Sequence, residues 1–256
     1  MIYKTRGTVS SIDIILLTHN FIKNTKTCID SLFDADPNFI LTIVDNGSTD
    51  GTVEYLKGIA DHYDNITLDL QKKNLGVVKG RNHAYQISKN ISPSTDFIMF
   101  IDNDQIVHVE WKDIYLKYMT MGFDIVGSEA WQMDKRRFVP TRRCVNLAEV
   151  FNYVGCGGMM IKHNVINNIG LFDEQFSPMY FEDPNFCWEA HEYGYKIAWA
   201  GNNVIDHHHK GSLLNNKTRK YFHNSLKKFQ LKWGGKDMPI FKNESKLVMN
   251  NMVDGV

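Results

Sequence analysis

The sequence predicts an α/β fold, a mostly parallel central sheet with helices on both faces. Two observations carry that expectation. Strand-like apolar runs alternate with helix-like amphipathic runs through the first half of the chain. Several of the strand-like runs are also apolar throughout, as strands covered on both sides are, instead of alternating apolar and polar. The clearest is "DFIMFIDNDQIVH" (residues 96–108), in which Phe97-Ile98-Met99-Phe100-Ile101 runs straight into Asp102-Asn103-Asp104.

Taken in order, "IDIILLT" reads as a buried strand, and residues 25–33 as a helix after a polar loop. "ILTIVDN" is a second strand, followed by a helix over 51–63 that the cap-forming Ser48-Thr49-Asp50 opens. Residues 65–71 are a third strand, 77–88 a third helix and "FIMFID" the fourth strand; 109–122 is a helix closed by Gly122. The second half is less regular. "FDIVGS", "GGMMIK" and "YKIAWAG" read as strands, and 184–194 as a helix with Pro184 at its first position. No internal repeat or linker interrupts the chain, so residues 1–212 are expected to form one domain and 213–256 a basic helical extension.

Composition excludes several classes. The 256 residues are 43% hydrophobic, enough for a sizeable core, and 29 Lys+Arg balance 29 Asp+Glu, which gives no reason to expect nucleic acid. Cys28, Cys144, Cys156 and Cys187 make no CxxC pair and read as reduced thiols of a cytoplasmic protein. No apolar stretch is long enough for a membrane span, and the first residues lack the apolar run of a signal peptide. Charge is nonetheless uneven: residues 217–236 hold seven Lys/Arg and no Asp/Glu. There Phe222, Leu226, Phe229 and Trp233 make one apolar helical face. That face either packs on the catalytic domain or rests on an anionic membrane surface as a peripheral contact.

Three strand ends carry polar groups: Thr18-His19-Asn20, Asp45-Asn46-Gly47-Ser48 and Asp102-Asn103-Asp104. In a parallel sheet they share the carboxyl edge, where open α/β sheets bind ligands. On their own, Asp102 and Asp104 either open a turn or hold something positive.

"VDNGSTDGT", "NLGVVKGRN", "FIDND", "YFEDPNFCWEAHEYGYKIAW" and "HHHKGS", in that order and at these spacings, resemble the motifs of family 2 glycosyltransferases with the GT-A fold. The resemblance runs from about Ile12 to Ser212. It implies an inverting, metal-dependent enzyme that moves a sugar from a UDP- or dTDP-linked donor to a hydroxyl acceptor, a glycan or lipid-linked intermediate. Asp102-Asn103-Asp104 resembles the family's DxD, which holds Mn2+ or Mg2+ on the donor diphosphate; Asp104 becomes the direct ligand, and Asp102 faces the metal, its water or the ribose. Thr18, Asn20 and Asp45 correspond to nucleotide contacts, although Asp45 also suits an Asx-turn. Arg81 corresponds to a basic side chain near the nucleotide, against the plain alternative of a solvated helix arginine. Gly155, Gly157 and Gly158 resemble a donor-sugar segment where backbone approaches the ligand.

"FEDPNFCWEAH" resembles the family's ED motif, which makes Asp183 the general base and Glu182 its orienting partner; an acidic pair at a helix N-terminus is the structural alternative. Of the three adjacent histidines, His207 fits the family's metal ligand best, and alternation places His209 on the same face. A zinc site lacks its usual ligand spacing. Trp131 and Trp188 could stack on sugar or fill the core. Two other classes compete: a nucleotidyltransferase, for which "LLTHNFIKNT" lacks the Gly-rich basic loop, and a non-catalytic nucleotide- or carbohydrate-binding module, which would need no base.

Overall fold

The computed structural model describes residues 12–91, 95–208 and 215–244. The first half follows the expected alternation: β1 (Ile12–Thr18), α1 (Ile22–Ala35), β2 (Ile40–Asp45), α2 (Thr52–His62), β3 (Ile66–Leu70), α3 (Val77–Ile91) and β4 (Phe97–Asp102). Then come β5 (Gln105–Val107), α4 (Trp111–Thr120), β6 (Ile125–Gly127), β7 (Ala130–Met133), β8 (Pro140–Arg143), β9 (Tyr153–Val154) and β10 (Met159–Lys162). The chain continues through α5 (His163–Ile169), a short 3-10 turn at Glu174–Phe176, α6 (Glu182–Glu192), β11 (Ile197–Trp199), β12 (Ile205–His207) and α7 (Asn216–Trp233).

Seven strands form the central sheet in the order β11-β6-β10-β4-β1-β2-β3. β1 pairs in parallel with β2 and β4, and β2 with β3, while β10 runs antiparallel between β4 and β6. The mostly parallel sheet is therefore present, and its inner strands β1, β2 and β4 are covered on both faces. Ile12, Ile14 and Leu16 join one apolar cluster with Cys28, Leu32 and Trp111; Ile15 joins the other, with Tyr85, Trp188 and Phe229. Strict two-residue alternation splits β4 the same way, Ile98 and Phe100 against Met99 and Ile101. This is why the run has no polar positions until it reaches the edge. The four cysteines are free and buried.

Three local expectations are corrected. α1 begins at Ile22, earlier than residue 25, because Asn20 and Phe21 take left-handed backbone and the Asp50 carboxylate accepts from the Ile22 N–H at 3.0 Å. α6 begins at Glu182, so Pro184 is its third residue; it still lies in the first turn, where its missing N–H costs no intrahelical bond. The irregular second half contains a three-stranded sheet, β8-β7-β9, and a ribbon of β5 with β12, neither visible as a pattern.

α7 packs its apolar face on the domain. Phe229 and Trp233 are buried against Trp188, with ring centroids 4.8 and 5.4 Å away, and Phe222 and Leu226 lie against the same cluster. Lys232 Nζ reaches Glu189 at 2.6 Å and Asp173 at 3.1 Å, and Lys236 reaches Glu192 at 2.6 Å. Part of the basic run is thus spent on the domain, and the apolar stripe is covered by it. The boundary expected between 212 and 213 lies outside the described residues. No helix among the described residues is long and apolar enough to cross a membrane.

One core position is electrostatically costly. Asp13 is fully buried in β1 with a single side-chain hydrogen bond, from Ser88 Oγ at 2.6 Å, and its Oδ1 has no partner. Burial raises its pKa to about 6, against the opposing Ser88 bond. A raised carboxyl pKa means that the stability present below pH 4 is lost as pH rises towards 6. Asp13→Asn is expected to match wild type near pH 4 and to exceed it above pH 6, by roughly 2–3 kcal/mol or several degrees of Tm. Parallel melting curves at pH 4 and pH 8 check this.

Candidate active site

The three polar strand ends meet at one edge. Thr18 pairs with Asp45 across β1 and β2, and Leu17 with Asp102 across β1 and β4. Thr18 Oγ1 donates to Asp45 Oδ1 at 3.0 Å, and Asp45 also accepts from the N–H groups of Gly47 and Ser48 and from Ser48 Oγ. The Asx-turn expected for Asp45 is therefore present. The Asn20 N–H donates to Ser48 Oγ at 2.7 Å, and its Oδ1 accepts from the Thr49 N–H. Asn103 Nδ2 donates to Asn20 O at 3.1 Å and Thr25 Oγ1 at 2.9 Å. Thr18, Asn20, Asp45 and Asn103 thus lock three loops into one rim, with most of their hydrogen-bonding capacity turned inward.

Beside that rim lies a cluster that fits a divalent cation. Asp102, Asp104 and His207 each offer a ligand atom, all within 4.8 Å of one another. The β5–β12 ribbon builds it, because its register sets His207 opposite Gln105 and the His208 N–H donates to Asp104 O at 2.9 Å. His207 Nε2 lies 3.2 Å from Asp104 Oδ1, and Nδ1 lies 3.5 Å from Glu129 Oε1. Burial works against the imidazolium, but hydrogen bonds to Asp104 and Glu129 and the charges of Asp102 and Asp104 outweigh it, pushing its pKa up to about 10. The pocket is built for positive charge. Two carboxylates and an imidazole form a donor set that Mn2+ accepts readily and Mg2+ through its oxygens. His209 lies outside the described residues.

Arg81 joins this corner to the acidic pair. Arg81 is 4% exposed, and its guanidinium donates to Asp102 Oδ1 at 2.5 Å and lies 3.5 Å from Glu182 Oε1. The solvated alternative is thereby corrected: α3 turns this arginine inward, beneath the Phe172 ring. Phe181, in left-handed conformation at φ 68°, swings the chain into α6 so that Glu182 and Asp183 open it at the site. Burial raises the pKa of both carboxyls, and the charge of Glu182 raises that of Asp183 further, with Arg81 opposing. Asp183 ends well above the usual carboxylate range. A hollow of about 130 Å³ opens over this pair, and another of about 220 Å³ lies beside Asp104.

The glycines have specific neighbours. A Cβ on Gly157 would lie 2.6 Å from Asp102 Oδ2, so only glycine lets this backbone approach the carboxylate. Gly158 lies at φ +75°, and a Cβ there would sit 2.2 Å from Ser128 Oγ, so both its backbone conformation and its packing require glycine. Trp188 is core, its Nε1 donating to Asn152 O. Sequence reading missed Glu129, a 5% exposed carboxylate held by Arg143 at 2.6 Å. It also missed Gln105, whose Oε1 accepts from the Asp102 N–H at 2.9 Å.

Known proteins share this frame. Residues 13–153 match the family model of glycosyl transferase family 2. A curated relative, glycosyltransferase AglE of Haloferax volcanii, is 21% identical over 209 residues, covering 76% of this chain and 66% of AglE. The structure resembles S. aureus TarS 1–349 in complex with UDP-GlcNAc, at 20% identity and TM-score 0.54, over 76% of this chain and 57% of that one. It also resembles the mannosyltransferase PcManGT of Pyrobaculum calidifontis in complex with GDP-Man and Mn2+, at 15% identity and TM-score 0.57, over 76% and 55%. The chain thus spans between half and two thirds of the length of these relatives. With more than half of its length matched by that model, the chain belongs to glycosyl transferase family 2.

Proposed function

We propose that the protein transfers a sugar, with inversion and with the help of Mn2+ or Mg2+, from a nucleotide-diphosphate-sugar to a hydroxyl acceptor on a glycan or lipid-linked intermediate. The observation that carries this reading is the pairing of a cation-seeking corner (Asp102, Asp104, His207) with a buried, high-pKa carboxyl, Asp183, through Arg81. A binding module needs the first and has no use for the second. A nucleotidyltransferase gains nothing from a base outside the cation-seeking group.

In the proposed step Asp183 takes the proton of the acceptor hydroxyl. The oxygen forms a bond to the anomeric carbon from the face opposite the leaving group, and the bond from that carbon to the diphosphate oxygen breaks, its electron pair leaving with the nucleoside diphosphate. A divalent cation held by Asp104, His207 and Asp102 would neutralise charge on that diphosphate. Glu182, anchored by Arg81, orients the base or the acceptor. Thr18, Asn20, Asp45 and Asn103 frame the nucleotide edge, and Gly157 and Gly158 shape the donor-sugar side. UDP or dTDP donors are our first choice. The exposed Lys217, Lys220 and Lys227 on α7 support contact with an anionic membrane surface, where a lipid-linked acceptor would sit.

The test is a melting panel of UDP, dTDP, GDP and CDP with Mn2+ or Mg2+, followed by NMR of the product formed from the matching sugar nucleotide. One nucleotide is expected to raise Tm only with metal, and the product is expected to carry the opposite anomeric configuration. No shift with any nucleotide under either metal would overturn the donor reading, and retained configuration would overturn inversion.

A further inference from the structure

The imidazole of His207 stands between two carboxylates. Its Nε2 lies 3.2 Å from Asp104 Oδ1, on the side of the cation corner, and its Nδ1 lies 3.5 Å from Glu129 Oε1. The two ring nitrogens point away from each other, so a ring that offers Nε2 to the corner leaves Nδ1 to Glu129. Glu129 is not one of the three cation-seeking side chains, and it is only 5% exposed. Burying a further carboxylate at an acidic corner is costly. Its place therefore asks for a reason.

The backbone around Glu129 is tied down. Its C=O accepts from the Gly155 N–H at 3.0 Å; the preceding Ser128 donates its N–H to Gly158 O at 3.1 Å and accepts from Trp199 Nε1 at 3.0 Å. Arg143 comes from β8, in register with Trp131 of β7, and its Nη1 donates to Glu129 Oε1 at 2.6 Å. That same oxygen faces the imidazole. Arg143, Glu129 and His207 thus form a chain from the small β8-β7-β9 sheet to the β5–β12 ribbon. The Arg143 side chain is 39% exposed. Water solvates such an arginine without help, so pairing it does not account for the buried carboxylate.

Resting on the metal-dependent reading above, we infer that Glu129 is a positioning residue for that reaction. It takes the Nδ1–H of His207, fixes the tautomer and ring orientation that present Nε2 to the cation corner, and thereby sets the preference of the site for Mn2+ over Mg2+. A neutral imidazole carries one N–H. A carboxylate acceptor at Nδ1 keeps that hydrogen there and leaves the Nε2 lone pair for a metal. At 3.5 Å the contact is longer than a settled N–H···O bond; with Nε2 drawn towards Asp104, the ring is held from both sides. Imidazole ligation favours Mn2+, whereas Mg2+ keeps to oxygen ligands and water. Arg143 in turn keeps the carboxylate in place, which gives the small sheet a part in the site.

The test uses the full chain and the metals alone. Mn2+ affinity is measured by electron paramagnetic resonance, and Mg2+ affinity by competition against Mn2+, for wild type, Glu129→Gln, His207→Ala and the double replacement. Loss of a negative charge weakens both cations alike, so the ratio of the two affinities is the readout. Glu129→Gln is expected to weaken Mn2+ by about 10- to 100-fold and Mg2+ by only about threefold. The ratio then falls towards that of His207→Ala, and in the His207→Ala background the same change should move it by less than about twofold. In wild type loaded with Zn2+, a diamagnetic probe, nitrogen NMR should show His207 as the Nδ1–H tautomer, its signals identified by their loss in His207→Ala. An unchanged ratio in Glu129→Gln overturns the inference. So does an equal fall without His207, or an Nε2–H tautomer in the loaded wild type. The wild-type spectrum decides alone if Glu129→Gln does not fold. Metal binding with an unchanged ratio removes this inference and leaves the metal-dependent reading standing; a wild type that binds neither cation removes both.

Discussion

Asp183→Asn is expected to lower kcat by about 10²- to 10⁴-fold, the usual range for loss of a general base, while changing KM for the donor little. The amide keeps the shape of the carboxyl and cannot accept the proton. Asp183 is not among the three cation-seeking side chains, so the nucleotide melting shift is expected to stay intact, and binding and chemistry separate in one variant. The wild-type acid limb of kcat/KM is expected above the ordinary aspartate range, because burial and Glu182 raise the Asp183 pKa. Stability carries a second, independent signature. A carboxyl whose folded-state pKa is raised keeps its full contribution below its ordinary value near 3.8 and loses it as pH climbs through the raised one. Wild type should therefore lose stability over that window, and Asp183→Asn should lose less. A variant with kcat within about threefold of wild type would remove Asp183 as the base.

How much of this was legible depends on whether the signal was local. β1, β2 and β4 are apolar runs with polar ends, so the sheet and its functional edge follow from the string of letters. The ribbon of β5 and β12 has only three residues on each side, too few to show a period, yet it is what delivers His207 to Asp104. The choice of His207 came from resemblance, and its spacing to Asp104 became visible only in three dimensions. Glu129 had no local sign at all, since its partners are Arg143 and His207. Arg81 did have one. It lies three residues after Val78 and four before Tyr85, both on the buried face of α3, so helical periodicity placed it inward. Residue type alone left the solvated alternative open beside the nucleotide contact, whereas its position on the helix already weighs against it. α6 was read two residues short for a similar reason: Pro184 marks a first turn, and it occupies the third position of that turn here.

Asp104 and Asp102 are one residue apart, but their replacements are expected to fail in different ways. Asp104→Ala should abolish the metal-dependent nucleotide shift and weaken Mn2+ binding by about 100-fold or more, with a modest loss of melting temperature at neutral pH as His207 loses one of its carboxylate partners. Its carboxylate faces His207 at 3.2 Å, and Glu129, 3.5 Å from the other ring nitrogen, still holds the imidazolium when it is gone. Asp102→Ala should also lose metal binding, but at a further cost to the fold. Asp102 accepts from a guanidinium that is 4% exposed, and removing one partner of a buried pair costs about 3–5 kcal/mol because the other charge remains. Glu182, at 3.5 Å from Arg81, recovers part of that, so a loss of about 2–3 kcal/mol is expected. Adding Arg81→Met to Asp102→Ala should restore much of the stability and none of the metal binding, since the stranded charge goes while the ligand stays absent. Melting curves and Mn2+ titrations followed by electron paramagnetic resonance on the three proteins measure both quantities. If Asp104→Ala bound Mn2+ like wild type, the cluster would not be the metal site. If the double replacement were no more stable than Asp102→Ala, Arg81 would owe its place to packing and not to its charge.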